Sequence, residues 1–344
     1  MQNNNDFLLE IKKIVKEFRI PCENLFFTKK TLLALDKVSL SLKFGESFGI
    51  VGESGCGKST LARTIMGLEN LQSGEIFFMG KNIHSLDKKD LRSIRKCLQM
   101  IFQDPYGSLD PKNTIEKIIS EPLALIDKVS INQKRDKVVD VMEKVGLSPN
   151  DIYKYPHEFS GGQRQRIAIA RSLITHPALI VADEPVSALD VSVQAQVLNL
   201  MMDLRDEHGL AYLFISHDLS VVRQITSKVA VMYSGKIIEI GPTEDLFNNP
   251  FHPYTRSLIE AIPIPDPKKR IIKSKTYFNI NNENSDLLKR SKNGCSYAPY
   301  CYYATDKCKN DSPFLKNVTN ELSINFSNNT KNSNHKVACH NPLN

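Results

Sequence analysis

The run Gly52-Glu53-Ser54-Gly55-Cys56-Gly57-Lys58-Ser59-Thr60 gathers three glycines, a lysine and two adjacent hydroxyls into nine residues. Its spacing, G-x-x-x-x-G-K-[ST], suits a loop whose backbone N–H groups wrap phosphate oxygens. Glycine at 52, 55 and 57 opens backbone conformations closed to residues with a Cβ, so successive N–H groups can turn inward at the positive end of a helix. Lys58 then supplies a point charge for the β- and γ-phosphates of a nucleotide, and Ser59 a hydroxyl for Mg²⁺. Cys56 reads as a space-filler, although a helix N-terminus would lower its pKa. Such a loop needs a second acid to hold the metal through water. Asp183 ends the apolar run Leu179-Ile-Val-Ala, and Glu184 follows it. Consecutive residues at a strand's end point in different directions, so one carboxylate can serve Mg²⁺ while the other orients an attacking water. A glycine-rich turn with a surface lysine, or an acidic strand cap, explains either feature alone but not both together.

The elements that must hold these groups follow from hydrophobic periodicity. Ser47-Phe-Gly-Ile-Val reads as a buried strand leading into the loop, and Lys58 to Gly67 as the helix after it. Leu179 to Asp183 and Ala211 to Ser216 are further buried strands, preceded by amphipathic helices over Gly161 to Thr175 and Val191 to His208. Alternation of strand and helix predicts a parallel sheet covered on both faces. Lys112 to Gly146 is almost entirely helical in pattern and reads as an insertion into the α/β core.

The whole chain has 344 residues, 41% apolar and 24% charged, which excludes a wholly disordered or fibrous protein. A net charge of +7 is compatible with phosphate-bearing partners or an anionic membrane surface, but is too small to indicate a nucleic-acid binder. No run approaches the roughly eighteen apolar residues of a membrane span, and the polar, charge-broken N-terminus does not read as a secretory signal. Seven cysteines, an odd number, are expected to be reduced or metal-bound rather than paired. After Ile262 the character changes to a proline-punctuated basic linker. Asn279 to Asn284 and Asn317 to Asn334 then read as loops. Four cysteines lie between and after them: Cys295, Cys301, Cys308 and Cys339. A tail so poor in core residues must be held by something, and these cysteines are the candidates.

Further motifs point to a family. Ser160-Gly161-Gly162-Gln163-Arg-Gln-Arg resembles the signature motif of ATP-binding-cassette (ABC) ATPases. Gln103 in Ile-Phe-Gln-Asp-Pro is similar to their Q-loop, Ser187-Ala-Leu-Asp190 to their D-loop, and His217 in Ile-Ser-His-Asp to their switch histidine. Six motifs stand in the family's order between residues 52 and 217. The resemblance covers roughly the first three-quarters of the chain. It implies an α/β P-loop NTPase fold over residues 1–262, with an antiparallel β subdomain and a helical subdomain at about 104–160. Two such domains would pair head to tail, with ATP between one domain's phosphate loop and the other's signature helix.

By this analogy Glu184 is the general base, with Lys58, Gln103 and His217 also in the catalytic set. Ser59, Asp183 and Gln103 attend Mg²⁺. Residues 52 to 60, Ser160 to Gln163 and Asp190 contact the nucleotide. An aromatic near the N-terminus would stack on adenine. Phe18 fits by position, with Phe26 and Phe27 as competitors.

Asn249-Pro-Phe-His-Pro-Tyr-Thr-Arg-Ser-Leu with Ala261-Ile-Pro, and Tyr155-Pro-His-Glu-Phe159, resemble ATPases that energise bacterial oligopeptide and dipeptide importers. The phrase Ala-Ile-Pro-Ile-Pro-Asp-Pro leans towards the oligopeptide system's second ATPase. Relatives serving dipeptides, glutathione or nickel stay open. The resemblance implies two transmembrane permease subunits, a second homologous ATPase in a heterodimer, indirect dependence on an extracytoplasmic peptide-binding protein, and a peripheral place on the cytoplasmic face of the cell membrane. Residues 263–344 would form the linker and the cysteine-containing C-terminal extension. In some relatives this C-x5-C-x6-C spacing with a distant fourth cysteine holds a [4Fe–4S] cluster. Zinc, unligated thiols and disulfides are the alternatives. The rival of another class is a soluble ABC ATPase acting on DNA or ribosomes, whose usual coiled coil, zinc modules or fused second cassette do not appear here. A catalytically dead cassette is disfavoured by the presence of Lys58, Asp183, Glu184 and His217.

Overall fold

The structure is a computed structural model and describes residues 7–19, 31–125, 130–262, 293–318 and 334–343. The chain begins with β1 (Leu9–Arg19), β2 (Thr31–Leu42) and β3 (Ser47–Val51), then α1 (Lys58–Ile65), β4 (Ser73–Phe78) and β5 (Lys81–Asn82). Next come α2 (Lys88–Cys97), β6 (Leu98–Ile101) and the helices α3 (Pro105–Ser108), α4 (Ile115–Ser120) and α5 (Ile131–Lys144). The order continues α6 (Gly161–Leu173), β7 (Leu179–Asp183), α7 (Val191–His208), β8 (Ala211–Ser216), α8 (Leu219–Ile225), β9 (Lys228–Tyr233) and β10 (Lys236–Pro242). It closes with α9 (Thr243–Asn248), α10 (Pro253–Glu260), α11 (Asp306–Asn310), β11 (Lys316–Asn317) and β12 (Lys336–Val337).

β3, β7 and β8 are buried at every residue. Alternate side chains enter two different cores, which is why these strands are apolar throughout instead of alternating. Ile180, Ala182, Tyr212 and Phe214 face a core shared with the helices between β6 and β7. Leu179, Val181, Leu213 and Ile215 face the other, which α1 and the first strands close.

The main sheet runs β11-β12-β10-β9-β3-β8-β7-β6, and the second sheet, β2-β1-β4-β5, is antiparallel. The expected parallel sheet is present, within a larger sheet that is mixed. β9, β3, β8, β7 and β6 are parallel, but β10 folds back on β9. The cause is local: Ser234 and Gly235, with φ of 48° and 83°, form a two-residue turn whose twist matches an antiparallel hairpin.

The insertion is also less uniformly helical than its pattern. α4 gives way to a 3-10 turn at Glu121–Leu125, where Pro122 cannot donate to the helix. α5 restarts at a capping box between Ser130 and Gln133. Among the described residues no helix is long and apolar enough to cross a membrane.

Part of the tail is fastened by strand pairing. β12 adds to the edge of β10, pairing Val337 with Glu239 and Lys336 with Ile240. Ala338 N–H donates to Ile238 O at 2.7 Å, Leu343 N–H donates to Phe251 O at 2.8 Å, and Val337, Ala338 and Leu343 are buried. Backbone pairing and a few apolar side chains thus hold this segment. Of the expected linker and loops, residues 263–292 and 319–333 lie outside the described residues.

Candidate functional site

Four adjacent parallel strands end on one edge of the sheet, the usual place for a crevice in an open α/β fold. β3 runs into the loop before α1, β7 ends on Asp183, His217 follows β8, and Gln103 lies two residues beyond β6. A Cβ at Gly52 would stand 2.2 Å from Met232 O, and one at Gly57 2.5 Å from Ala34 O. Glycine is needed at both positions because neighbouring strands press on the loop from behind. α1 begins at Gly57 without a side-chain cap, so its first N–H groups remain for an anion. Lys58 is buried, and its Nζ donates to Gly52 O at 2.8 Å and Glu53 O at 2.9 Å. Glu53, Ser54 and Gly55 form the exposed rim, and Thr60 is half-buried in α1. Cys56 is buried, and burial pushes its thiol up despite Lys58 nearby.

Ser59 Oγ donates to Asp183 Oδ1 at 3.2 Å. Desolvation raises the Asp183 carboxyl above the usual range, opposed by the Ser59 bond and by Arg63 and Lys58. A buried carboxyl beside a hydroxyl is a hard-oxygen donor set, and it fits Mg²⁺.

Glu184 has a φ of 48°, rare for a residue other than glycine, and its N–H donates to Ile215 O at 2.9 Å. One of its carboxylate oxygens, Oε2, accepts from Gln103 Nε2 at 2.9 Å and lies 3.1 Å from His217 Nδ1. The structure thus brings together Gln103, Glu184 and His217 beside the Ser59–Asp183 pair, from four different strands.

Ser160 caps α6 through a reciprocal box with Gln163, whose N–H and Oε1 bond the Ser160 hydroxyl and N–H at 3.4 and 2.9 Å. A Cβ at Gly162 would meet Val193 Cγ1 at 2.4 Å, so the first turns of α6 and α7 are in close contact; Gly161 faces Leu189. Asp190 stands exposed at the start of α7 without a side-chain cap bond. The bonds of Ser160 and Gln163 stay within their own turn, apart from the phosphate loop. Phe18 is half-buried in β1 opposite Leu32, with the Lys16 ammonium 4.8 Å over its ring. Phe26 and Phe27 lie outside the described residues.

Cys295, Cys301, Cys308 and Cys339 are all free thiols. Cys295 N–H donates to Cys308 O at 2.7 Å, and Thr305 Oγ1 and Cys308 Sγ are 3.4 Å apart. Burial pushes the Cys295 and Cys301 thiols up and Cys339 to about 12, with the neighbouring cysteines adding to each shift. Among the described residues, no three of His, Cys, Asp or Glu are arranged to hold a metal ion.

One contact escaped the sequence reading. Tyr254 Oη accepts from the backbone N–H of Glu53, inside the phosphate loop, at 3.1 Å. Its signal was the stretch Phe251-His-Pro-Tyr254, visible as a motif but without any local sign of what it touches.

Residues 35–187 match the family described as ABC transporter, and residues 238–308 the family described as oligopeptide/dipeptide transporter, C-terminal region. The oligopeptide transport ATP-binding protein OppF of Haemophilus influenzae is 45% identical over 345 residues, covering 98% of each chain. The chain belongs to the ATP-binding proteins of oligopeptide and dipeptide ABC transporters. In the same branch, the dipeptide transport ATP-binding protein DppF of Haemophilus influenzae is 49% identical over 297 residues, 86% of this chain and 89% of that one. A dimeric ATP-binding cassette solved in a post-hydrolysis state with ADP and Pi superposes with a TM-score of 0.61 at 28% identity, over 68% of this chain and 98% of its own. As an ABC ATP-binding protein, the chain is an ATPase.

Proposed function

We propose that the chain energises peptide import, with oligopeptides as the first class to test, by hydrolysing ATP beneath a membrane permease. The observation that carries this reading is the convergence of Gln103 and His217 on one oxygen of Glu184, beside the Ser59–Asp183 pair. Neither contact uses Glu184 Oε1, which is left to take the proton of an attacking water. Loop N–H groups and Lys58 hold the phosphates, and Ser59 and Asp183 would hold Mg²⁺, whose charge offsets that of the phosphate oxygens. The capping box at Ser160 presents a second helix N-terminus. In a head-to-tail pair it would meet the γ-phosphate bound by the partner, with Asp190 near the junction. Phe18 is the residue we assign to adenine, on the strength of its position in β1 alone.

The partners that fit this role are two permease subunits and a second, homologous ATPase, with a peptide-binding protein acting from the other side of the membrane. The chain would then sit on the cytoplasmic face of the cell membrane. We divide it into an ATPase domain of residues 1–262, with a helical subdomain at about 104–160, and a C-terminal region of 263–344. Affinity purification from mild detergent tests the reading: a permease and a second ATPase should accompany the chain. Recovery with ribosomes or nucleic acid instead would overturn it.

A [4Fe–4S] cluster on Cys295, Cys301, Cys308 and Cys339 rests on their spacing in the sequence, since among the described residues they are not arranged to hold a metal ion. Iron analysis of anaerobically purified protein with a visible spectrum is the test. Absence of iron and of a broad band near 400 nm (roughly, for thiolate-bound iron) removes it.

A further inference from the structure

Tyr254 joins the C-terminal tail to the nucleotide loop. Its ring is 2% exposed and lies against Tyr233 at 4.6 Å and Tyr297 at 5.4 Å between centroids. Tyr233 ends β9, and two residues later Gly235 N–H donates to Cys56 O at 2.8 Å. The phosphate loop is therefore held from behind at two backbone points, Glu53 N–H by the Tyr254 hydroxyl and Cys56 O by the hairpin turn. Tyr297 belongs to the tail, and it also contacts the ring of His252 at 5.8 Å.

The helix that carries Tyr254 is fixed in turn. His252 caps α10, its Nδ1 accepting from Tyr254 N–H at 3.1 Å. The fully buried Glu239 of β10 accepts from Phe251 N–H at 2.8 Å, from His252 N–H at 2.9 Å and from His335 Nε2 at 2.8 Å. His335 comes from the tail. Tail contacts thus reach Tyr254 by two routes, through the Tyr297 ring and through Glu239.

We infer that Tyr254 is a positioning residue for ATP. Its hydroxyl holds Glu53 N–H away from the phosphates and fixes the loop in its anion-binding shape, and the tail sets ATP affinity through the Tyr297 ring. A preformed cradle binds more tightly than one that must be ordered by the ligand.

The test is a double-mutant cycle on the full chain, using magnesium-ATP as the titrant and measuring Kd, KM, kcat and Tm for each variant. Loss of one hydrogen bond in Tyr254→Phe should weaken ATP binding by about fivefold, with the loss in KM exceeding any change in kcat. Tyr297→Ala should move Kd in the same direction by a smaller factor. In the Tyr254→Phe background Tyr297→Ala should add nothing to Kd. A parental Kd in Tyr254→Phe overturns the assignment, even if Tm falls, since that pattern marks packing alone. Effects of the two variants that multiply overturn the coupling.

Discussion

Two buried or half-buried glutamates divide the molecule into regions of opposite character. Glu239 is fully buried and accepts from two backbone N–H groups and an imidazole, each at 2.9 Å or less. Glu184 has a side chain 12% exposed and a left-handed backbone, and its two side-chain partners converge on one oxygen while the other makes no such bond. The first carboxylate is saturated, as a structural joint requires, because any lost donor would be left unpaired in a fully buried site. The second stands ready to exchange a partner for water. Burial of a carboxylate is therefore a poor guide to its role here, and the count and placement of its donors a better one.

Several changes should break or sharpen this contrast. Glu184→Gln removes the proton acceptor and keeps the shape, so single-turnover hydrolysis should slow by roughly 10²- to 10⁴-fold while ATP is still bound. Parental turnover would mean that the base lies elsewhere. At the other glutamate, Glu239→Leu strands three donors and should cost roughly 3 kcal/mol of stability, read from denaturant unfolding. If it slowed hydrolysis as much as Glu184→Gln does while leaving stability intact, the division between the two regions would fail.

His252 sharpens the structural side. Burial holds its pKa down to about 4, with Glu239 pulling the other way. The folded protein therefore binds this proton less readily than the unfolded chain, so stability is complete above the unfolded histidine range and falls as pH drops towards 4. Between pH 7 and pH 5 the loss should be about 2 kcal/mol. His252→Asn keeps a capping side chain and should flatten that slope, whereas a slope that persists would assign it to other groups. The smallest effect is expected at Gln103. Gln103→Ala removes one of two contacts to Glu184 Oε2 and should lower kcat by about tenfold, the scale of one hydrogen bond to a charged group. A loss as large as that of Glu184→Gln would give Gln103 a direct part in the chemistry.

What the sequence made legible follows the range of the interactions. Gly52 to Thr60 is one turn between a strand and a helix, and Ser160 with Gln163 is one capping box. Such motifs are written in adjacent residues because their hydrogen bonds are local. The strands over 179–183 and 211–216 were legible for the same reason, since burial on both faces leaves an unbroken apolar run. The fold-back of β10 was missed although Ser234-Gly235 is a recognisable hairpin turn, because alternation with helices dominated the reading. The cysteines were legible only as a spacing, which says nothing of whether a few residues of β12 can hold a tail by pairing with β10.

The amino-acid sequence by itself determined the phosphate loop, the acidic pair that follows β7, the signature turn and the family to which they belong. Only the tertiary structure decided which partners meet: Gln103 and His217 on Glu184, His335 on Glu239 across 96 positions, and Tyr254 on Glu53 across 201. Contacts of that range leave no periodicity in the chain. They exist because parallel strands deliver distant residues to a common edge, and because the tail returns to pair with β10.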